Sequence, residues 1–174
     1  TITGGDDYDT ADSDTLVGGA GDDSISSGQF RTPKDGFQEF GDVLDGGEGN
    51  DTLDGGAADD TIIGGSGDDS ITGGEGDDTF VFEDDFGRDV VRDFDLGDDD
   101  GDGKTNDQID VSGLVDANGN PVNAWDINVS DDGNGNAMLT FPNGEALVLE
   151  GVAVADVQGA DKLASMGVPC FASG

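Results

Sequence analysis

Large apolar residues recur every nine positions through the middle of the chain, at Leu53, Ile62, Ile71 and Phe80. That spacing fits neither the 3.6-residue period of an amphipathic helix nor simple strand alternation. The segments around these residues align as four contiguous units: Gly46–Asp54 (GGEGNDTLD), Gly55–Ile63 (GGAADDTII), Gly64–Thr72 (GGSGDDSIT) and Gly73–Val81 (GGEGDDTFV). Each opens with Gly-Gly, carries Asp at its sixth position and an apolar residue at its eighth. Nine residues are too few for a helix pair or a propeller blade. Glycines at the first, second and fourth positions permit positive φ, and the last three positions favour strand. The unit therefore predicts a six-residue turn and a three-residue strand. Such a strand spans only ~10 Å, so the chain must coil with two units per full turn, and every second unit stacks at ~4.8 Å.

The phase runs back to the N-terminus. Ile2 falls at an eighth position, Asp14-Thr15-Leu16-Val17 closes a turn with five extra residues, and Gly18–Ser26 (GGAGDDSIS) is a regular unit. Ser27–Asp45 is a unit with ten extra residues, closing on Asp42-Val43-Leu44-Asp45. Two apolar rows result: Ile2, Ile25, Leu53 and Ile71 facing Leu16, Leu44, Ile62 and Phe80. Both insertions fall in odd-numbered turns and should share one edge of the coil. The second holds Phe30, Arg31, Pro33, Lys34, Phe37 and Phe40. It reads either as a loop covering that edge or the N-terminal end of the core, or as a contact site for another domain.

Composition narrows the partners. The 174 residues carry 41 acids against six bases, a net charge of −35. No basic surface exists to meet nucleic acid phosphates, and an anionic membrane is equally unfavourable without divalent ions. So acidic a chain is either disordered or a folded binder of several cations; the ordered repeat with its apolar rows favours the second. The chain has no His, which removes Ser-His-Asp and Cys-His catalysis and His-ligated zinc. A single Cys, Cys170, allows no internal disulfide framework. No apolar run approaches the ~20 residues of a membrane span. The start at Thr1, without Met or an apolar leader, reads as a fragment or a processed piece.

The tandem pattern GGxGxDxUx, U being large and apolar, resembles the nonapeptide of the RTX (repeat-in-toxin, haemolysin-type) calcium-binding proteins. The resemblance covers about half of the chain. It implies an all-β fold, a right-handed parallel β-roll, with calcium between stacked turns. In that family one turn gives the carbonyls of positions two and four plus its Asp, and the next turn on the same edge gives the carbonyls of positions one and three plus its Asp. Carried across, a first site uses Gly19, Gly21 and Asp23 with Gly46, Glu48 and Asp51. A second uses Gly47, Gly49 and Asp51 with Gly64, Ser66 and Asp69. A third uses Gly56, Ala58 and Asp60 with Gly73, Glu75 and Asp78; Ala58 departs from the expected Gly and weakens or strains it. Gly65, Gly67 and Asp69 meet a modified turn ending at Asp89 in a further site. The inserted turns ending at Asp14 and Asp42 depart more, which puts sites there in doubt.

Charge supports a hard cation in those gaps. Stacked acids ~5 Å apart at an effective dielectric of 20 repel by ~3 kcal/mol per pair, and a divalent ion between them reverses the sign. Calcium takes six to eight oxygens and accepts backbone carbonyls, whereas magnesium demands tighter octahedral geometry and keeps its waters. Several Ca2+ ions, at least three, are expected, and the repeats should be disordered without them.

The remaining chain predicts a division into 1–82, the roll; 83–152, a capping β region; and 153–174, a short helix and tail. FVFEDDFGRDVVRDF and NDQIDVSGL resemble the segment closing RTX rolls, with Phe80, Phe82, Phe86 and Phe94 covering the apolar end. Asp98, Asp100 and Asp102, followed by Gly103, match a D-x-D-x-D-G cation loop, but the twelfth position is Ile109 rather than Glu; a solvated acidic turn is the alternative. Trp125–Val129, Ala137–Phe141 and Ala146–Glu150, separated by Asp132–Gly135 and Pro142-Asn143-Gly144, read as antiparallel strands. Val154–Met166 reads as a short helix weakened by Gly159. The tail Pro169-Cys170-Phe171 resembles the start of a Hint (hedgehog/intein-type) domain, in which Cys170 would attack the preceding carbonyl; an ordinary free thiol is the alternative. The resemblances together imply a calcium-binding, non-enzymatic, monomeric module of a larger secreted bacterial protein, folding outside the cell after type I export, its partners being calcium and the rest of the parent polypeptide. The rival reading is the N-terminal flank of a self-processing precursor or an accessory domain of a secreted hydrolase.

Overall fold

The structure, a computed structural model, describes residues 1–3, 13–28, 40–98 and 101–170. Its repeat region is a parallel β-roll. Strands β1 (Ile2–Thr3), β3 (Ser24–Ser26), β5 (Thr52–Ala57), β7 (Ser70–Glu75) and β9 (Arg88–Val91) form one wall; β2 (Thr15–Ala20), β4 (Val43–Glu48), β6 (Thr61–Ser66), β8 (Thr79–Val81) and β10 (Gln108–Asp110) form the other. Successive units alternate between walls, as two units per coil turn require.

The register matches the two apolar rows: Ile2 pairs with Ile25, Ile25 with Leu53 and Leu53 with Ile71; Leu16 pairs with Leu44, Leu44 with Ile62 and Ile62 with Phe80. Each row runs one rung further than the repeats, through Val91 beside Ile71 and Ile109 beside Phe80. The complete strands are longer than the predicted three residues. Thr52–Ala57, for example, continues through Gly55-Gly56 into the next unit, because Gly56 and Ala57 stay in register with Gly74 and Glu75 of the stacked turn.

The Asp84–Arg92 segment (DDFGRDVVR) is a ninefold unit without its Gly-Gly. Asp85 takes the second position with φ 70°, where Gly56 has φ 96°. Gly87, Asp89 and Val91 then fall at the fourth, sixth and eighth positions.

Beyond the roll, the first wall continues. Strand β13 (Ala146–Leu149) pairs in parallel with β9, then antiparallel with β12 (Ala137–Thr140), which pairs with β11 (Asn128–Asp131). The predicted antiparallel cap is therefore fused edge to edge with the roll. The strand expected at Trp125 begins instead at Asn128, because Asn123–Asp126 forms a turn in which the Asn123 side chain accepts the Trp125 N–H at 3.0 Å, leaving Trp125 64% exposed. The single predicted C-terminal helix is two, α1 (Val154–Val157) and α2 (Ala160–Ser165), parted at Gly159, whose φ of 109° no helix accommodates.

Phe80, Phe82, Phe86 and Phe94 are all buried. Phe82 and Phe86 lie 5.0 Å apart, Phe86 and Phe141 5.3 Å, and Phe80 and Phe94 5.8 Å between ring centroids. They close the roll's apolar channel and tie it to the cap. Among the described residues no helix is long and apolar enough to cross a membrane. Of the two insertions, residues 4–12 and 29–39 lie outside the described residues.

Candidate metal centre

The sixth-position acids stand in two ladders, one per edge. On the first, Asp51 Oδ1 accepts the N–H of Asp23, Asp69 Oδ1 that of Asp51, and Asp89 Oδ1 that of Asp69, at 2.7, 2.7 and 2.9 Å. On the second, Asp42, Asp60, Asp78 and Asp107 accept in the same way from Asp14, Asp42, Asp60 and Asp78, at 2.7, 2.7, 2.9 and 3.0 Å. Asp14 and Asp42 thus hold the sixth position despite the insertions before them.

One oxygen of each accepting acid is accounted for by these bonds; for five of them the other is not. Oδ2 of Asp51, Asp60, Asp69, Asp78 and Asp89 is buried with no hydrogen-bond partner, although native structures leave few buried polar atoms unsatisfied. Burial pushes four of these carboxyls up, with like-charged neighbours adding to it: Asp60 and Asp89 to about 8, Asp69 and Asp78 to about 6.

Four of these oxygens, those of Asp51, Asp60, Asp69 and Asp78, sit in a space that a first-position glycine leaves open. A Cβ on Gly46 would lie 2.5 Å from Asp51 Oδ2, and on Gly55 2.6 Å from Asp60 Oδ2. Backbone carbonyls share that space: a Gly46 Cβ would also collide with Gly64 O, and a Gly55 Cβ with Gly73 O, in each case the first-position carbonyl of the stacked turn. The second- and fourth-position carbonyls face the following turn as well, Gly19 O and Gly21 O toward Gly47 and Gly49, Gly47 O and Gly49 O toward Gly65 and Gly67, Gly56 O and Ala58 O toward Gly74 and Gly76. Third-position carbonyls are partly engaged, Glu48 O accepting from Gly21 N–H at 2.6 Å and Ser66 O from Gly49 N–H at 2.9 Å; each retains a lone pair. Ala58, the departure from Gly, adopts φ 87°, a left-handed conformation costly for an L-residue.

No group of three or more His, Cys, Asp or Glu side chains gathers into a metal site among the described residues. The gaps offer instead one free carboxylate oxygen beside several carbonyls, an all-oxygen donor set of the kind calcium takes. The residues fit that ion.

Two features escaped the sequence reading. Fifth-position side chains make an outer ladder: Asp22, Asn50 and Asp68 accept the N–H of Asn50, Asp68 and Arg88, and Asp59 that of Asp77. Asp107 ends the second inner ladder, and its signal was present: Asp107-Gln108-Ile109 repeats the Asp-x-apolar ending. In the proposed cation loop, Asp98 accepts the N–H groups of Gly101 and Gly103, and Asp102 that of Lys104, with Lys104 Nζ 3.9 Å away; Asp100 lies outside the described residues. Cys170 is an exposed free thiol.

The fold and the inner ladders define a parallel β-roll of stacked carboxylate-bearing turns. Residues 8–29, 39–70 and 54–91 match the model of the RTX calcium-binding nonapeptide repeat, in four copies, and this region consists of such repeats. The match stops short of Cys170. No curated protein sequence matches the chain. Among solved structures, it is similar to the extracellular lipase LipA from Serratia marcescens, with 27% identity over 83% of this chain and 20% of that one, at a TM-score of 0.49. It is also similar to the AlgE6R3 subunit of the Azotobacter vinelandii mannuronan C5-epimerase, with 27% identity over 98% of this chain and 88% of that one, at a TM-score of 0.40. The chain thus spans about a fifth of the lipase's length.

Proposed function

We propose that this chain is a calcium-folded, non-catalytic module of a larger secreted bacterial protein. The observation that carries the reading is the five buried, unpartnered Oδ2 atoms of the two ladders, four of them beside first-position glycines and those of Asp51 and Asp60 sharing the space with a backbone carbonyl of the stacked turn. Calcium in the gaps is held by Gly19, Gly21, Asp23, Gly46, Glu48 and Asp51; by Gly47, Gly49, Asp51, Gly64, Ser66 and Asp69; by Gly56, Ala58, Asp60, Gly73, Glu75 and Asp78; and by Gly65, Gly67 and Asp69 with Asp89. Asp98, Asp100 and Asp102 form a separate, weaker candidate loop. Residues 1–82 act as the calcium-dependent part, 83–152 as its cap and 153–174 as a tail. Affinity falls in the extracellular range, ~10⁻⁴–10⁻³ M, so the repeats stay unfolded at cytoplasmic calcium and fold after export. Circular dichroism should show strand signal gained on adding millimolar calcium to chelated protein; a repeat region fully folded in excess chelator refutes the reading.

A further inference from the structure

The nonapeptide match ends at residue 91, yet the second inner ladder has a rung beyond it. Asp107 Oδ1 takes the Asp78 N–H as the repeat acids do, but Asp107 Oδ2 is not left bare: it accepts the Asp95 N–H at 2.8 Å. Asp93 covers the Gly-Gly of the last repeat turn, Oδ1 accepting the Gly73 N–H at 2.9 Å and Oδ2 the Gly74 N–H at 3.0 Å. Between these two non-repeat acids lies Asp78, 1% exposed, its Oδ2 without a partner. That oxygen lies on the Cβ side of Gly73, the residue whose N–H Asp93 holds. Asp93 is the foremost of the charges acting on Asp78, and Asp78 and Asp93 both act on Asp107. The carboxylates of Asp78 and Asp93 thus approach the same gap, with both oxygens of Asp107 engaged by backbone N–H groups at its far side.

We propose that this gap holds a further calcium ion, built partly from residues outside the repeats. Asp78 Oδ2 and Asp93 supply the charge, each Asp93 oxygen keeping a lone pair beyond its amide bond. The carbonyls of Gly74 and Gly76 supply neutral donors, as their counterparts Gly56 and Ala58 do one turn earlier. Asp107 locks Asp78 in place and terminates the series: its second oxygen takes a backbone donor, where the Oδ2 of Asp60 and Asp78 has no partner. The site rests on the calcium reading of the repeats but is separable from it.

Crystals of the whole chain grown in calcium, with anomalous maps, test it. A peak within ~2.6 Å of Asp78 Oδ2 and of an Asp93 oxygen is the expected result. Filled repeat gaps with this one empty would overturn the inference alone; all gaps empty would overturn the calcium reading and this site with it. By calorimetric ion counting, Asp93→Asn should bind one ion fewer than wild type, and an unchanged count would speak against the site. Should that variant fail to fold, the wild-type map still decides.

Discussion

Gly46→Ala puts the calcium gaps to a direct test. Gly46 does not adopt positive φ, so alanine is acceptable to its backbone and, in open space, would stabilise by ~0.4–1 kcal/mol through the unfolded chain. The space is not open. The new methyl would lie 2.5 Å from Asp51 Oδ2 and 3.1 Å from Asp51 Cβ, and closer still to Gly64 O. A backbone carbonyl pinned in a strand ladder cannot swing aside, so the methyl takes the place where the ion between the Asp51 and Asp69 turns would sit. With a dissociation constant of ~10⁻⁴–10⁻³ M, one lost ion at 10 mM calcium removes about 1.4–2.7 kcal/mol, on top of the clash. The assay is paired: ion counting by calorimetry, and urea denaturation in 10 mM and 0.5 mM calcium. The variant should bind one ion fewer, and its stability deficit should widen with calcium concentration. An unchanged ion count, or a deficit indifferent to calcium, would refute calcium at this position.

Two further expectations concern the same turns. The carboxyls of Asp60 and Asp89 are raised by burial to about 8, Asp107 to about 7, and Asp69 and Asp78 to about 6, against about 3.9 in an unfolded chain. An ion-free fold would bind more protons than the unfolded chain between roughly pH 4 and pH 8, so acid favours it and rising pH removes that support; in calcium-free buffer the residual strand signal by circular dichroism should be greater at pH 5 than at pH 8, and the reverse order would contradict the assignment. Calcium competes with those protons, so its apparent affinity should increase over the same range. Ala58→Gly relieves the φ of 87° and should stabilise by ~1 kcal/mol, read as a raised urea midpoint in calcium; no gain would mean that Ala58 is unstrained.

The sequence was most informative where local chemistry repeats. The period of nine fixed both apolar rows and the placing of Asp23, Asp51, Asp60, Asp69 and Asp78, because a side chain's face in a coil follows from its phase alone. Asp107 was harder to see: the stretch after Asp93 separates it from the last regular turn, and only pairing of Ile109 with Phe80 restores the phase. Nor could phase reveal that β13 would join β9, since a parallel partner 58 residues away leaves no local mark. Asp93 was illegible for a similar reason. It replaces a Gly-Gly backbone with a side chain, and nothing in Phe94 or Arg92 announces that exchange. Trp125 misled through alternation, which a turn held by Asn123 can imitate.

The fused cap has a bearing on how the molecule assembles. All the buried side-chain oxygens and nitrogens left unpartnered among the described residues belong to Asp51, Asp60, Asp69, Asp78 and Asp89. The loops of the cap look after their own charge: Asp116 is held down to about 2 by Asn120 and Asn118, and Asp132 is lowered by Asn134 and Asn136. On the calcium reading, strands β11 to β13 would form without metal and present the open edge of β13 as a template. The roll would then zip onto that seed, turn upon turn away from the seam, and the same repeats cut loose from it would have to begin from nothing.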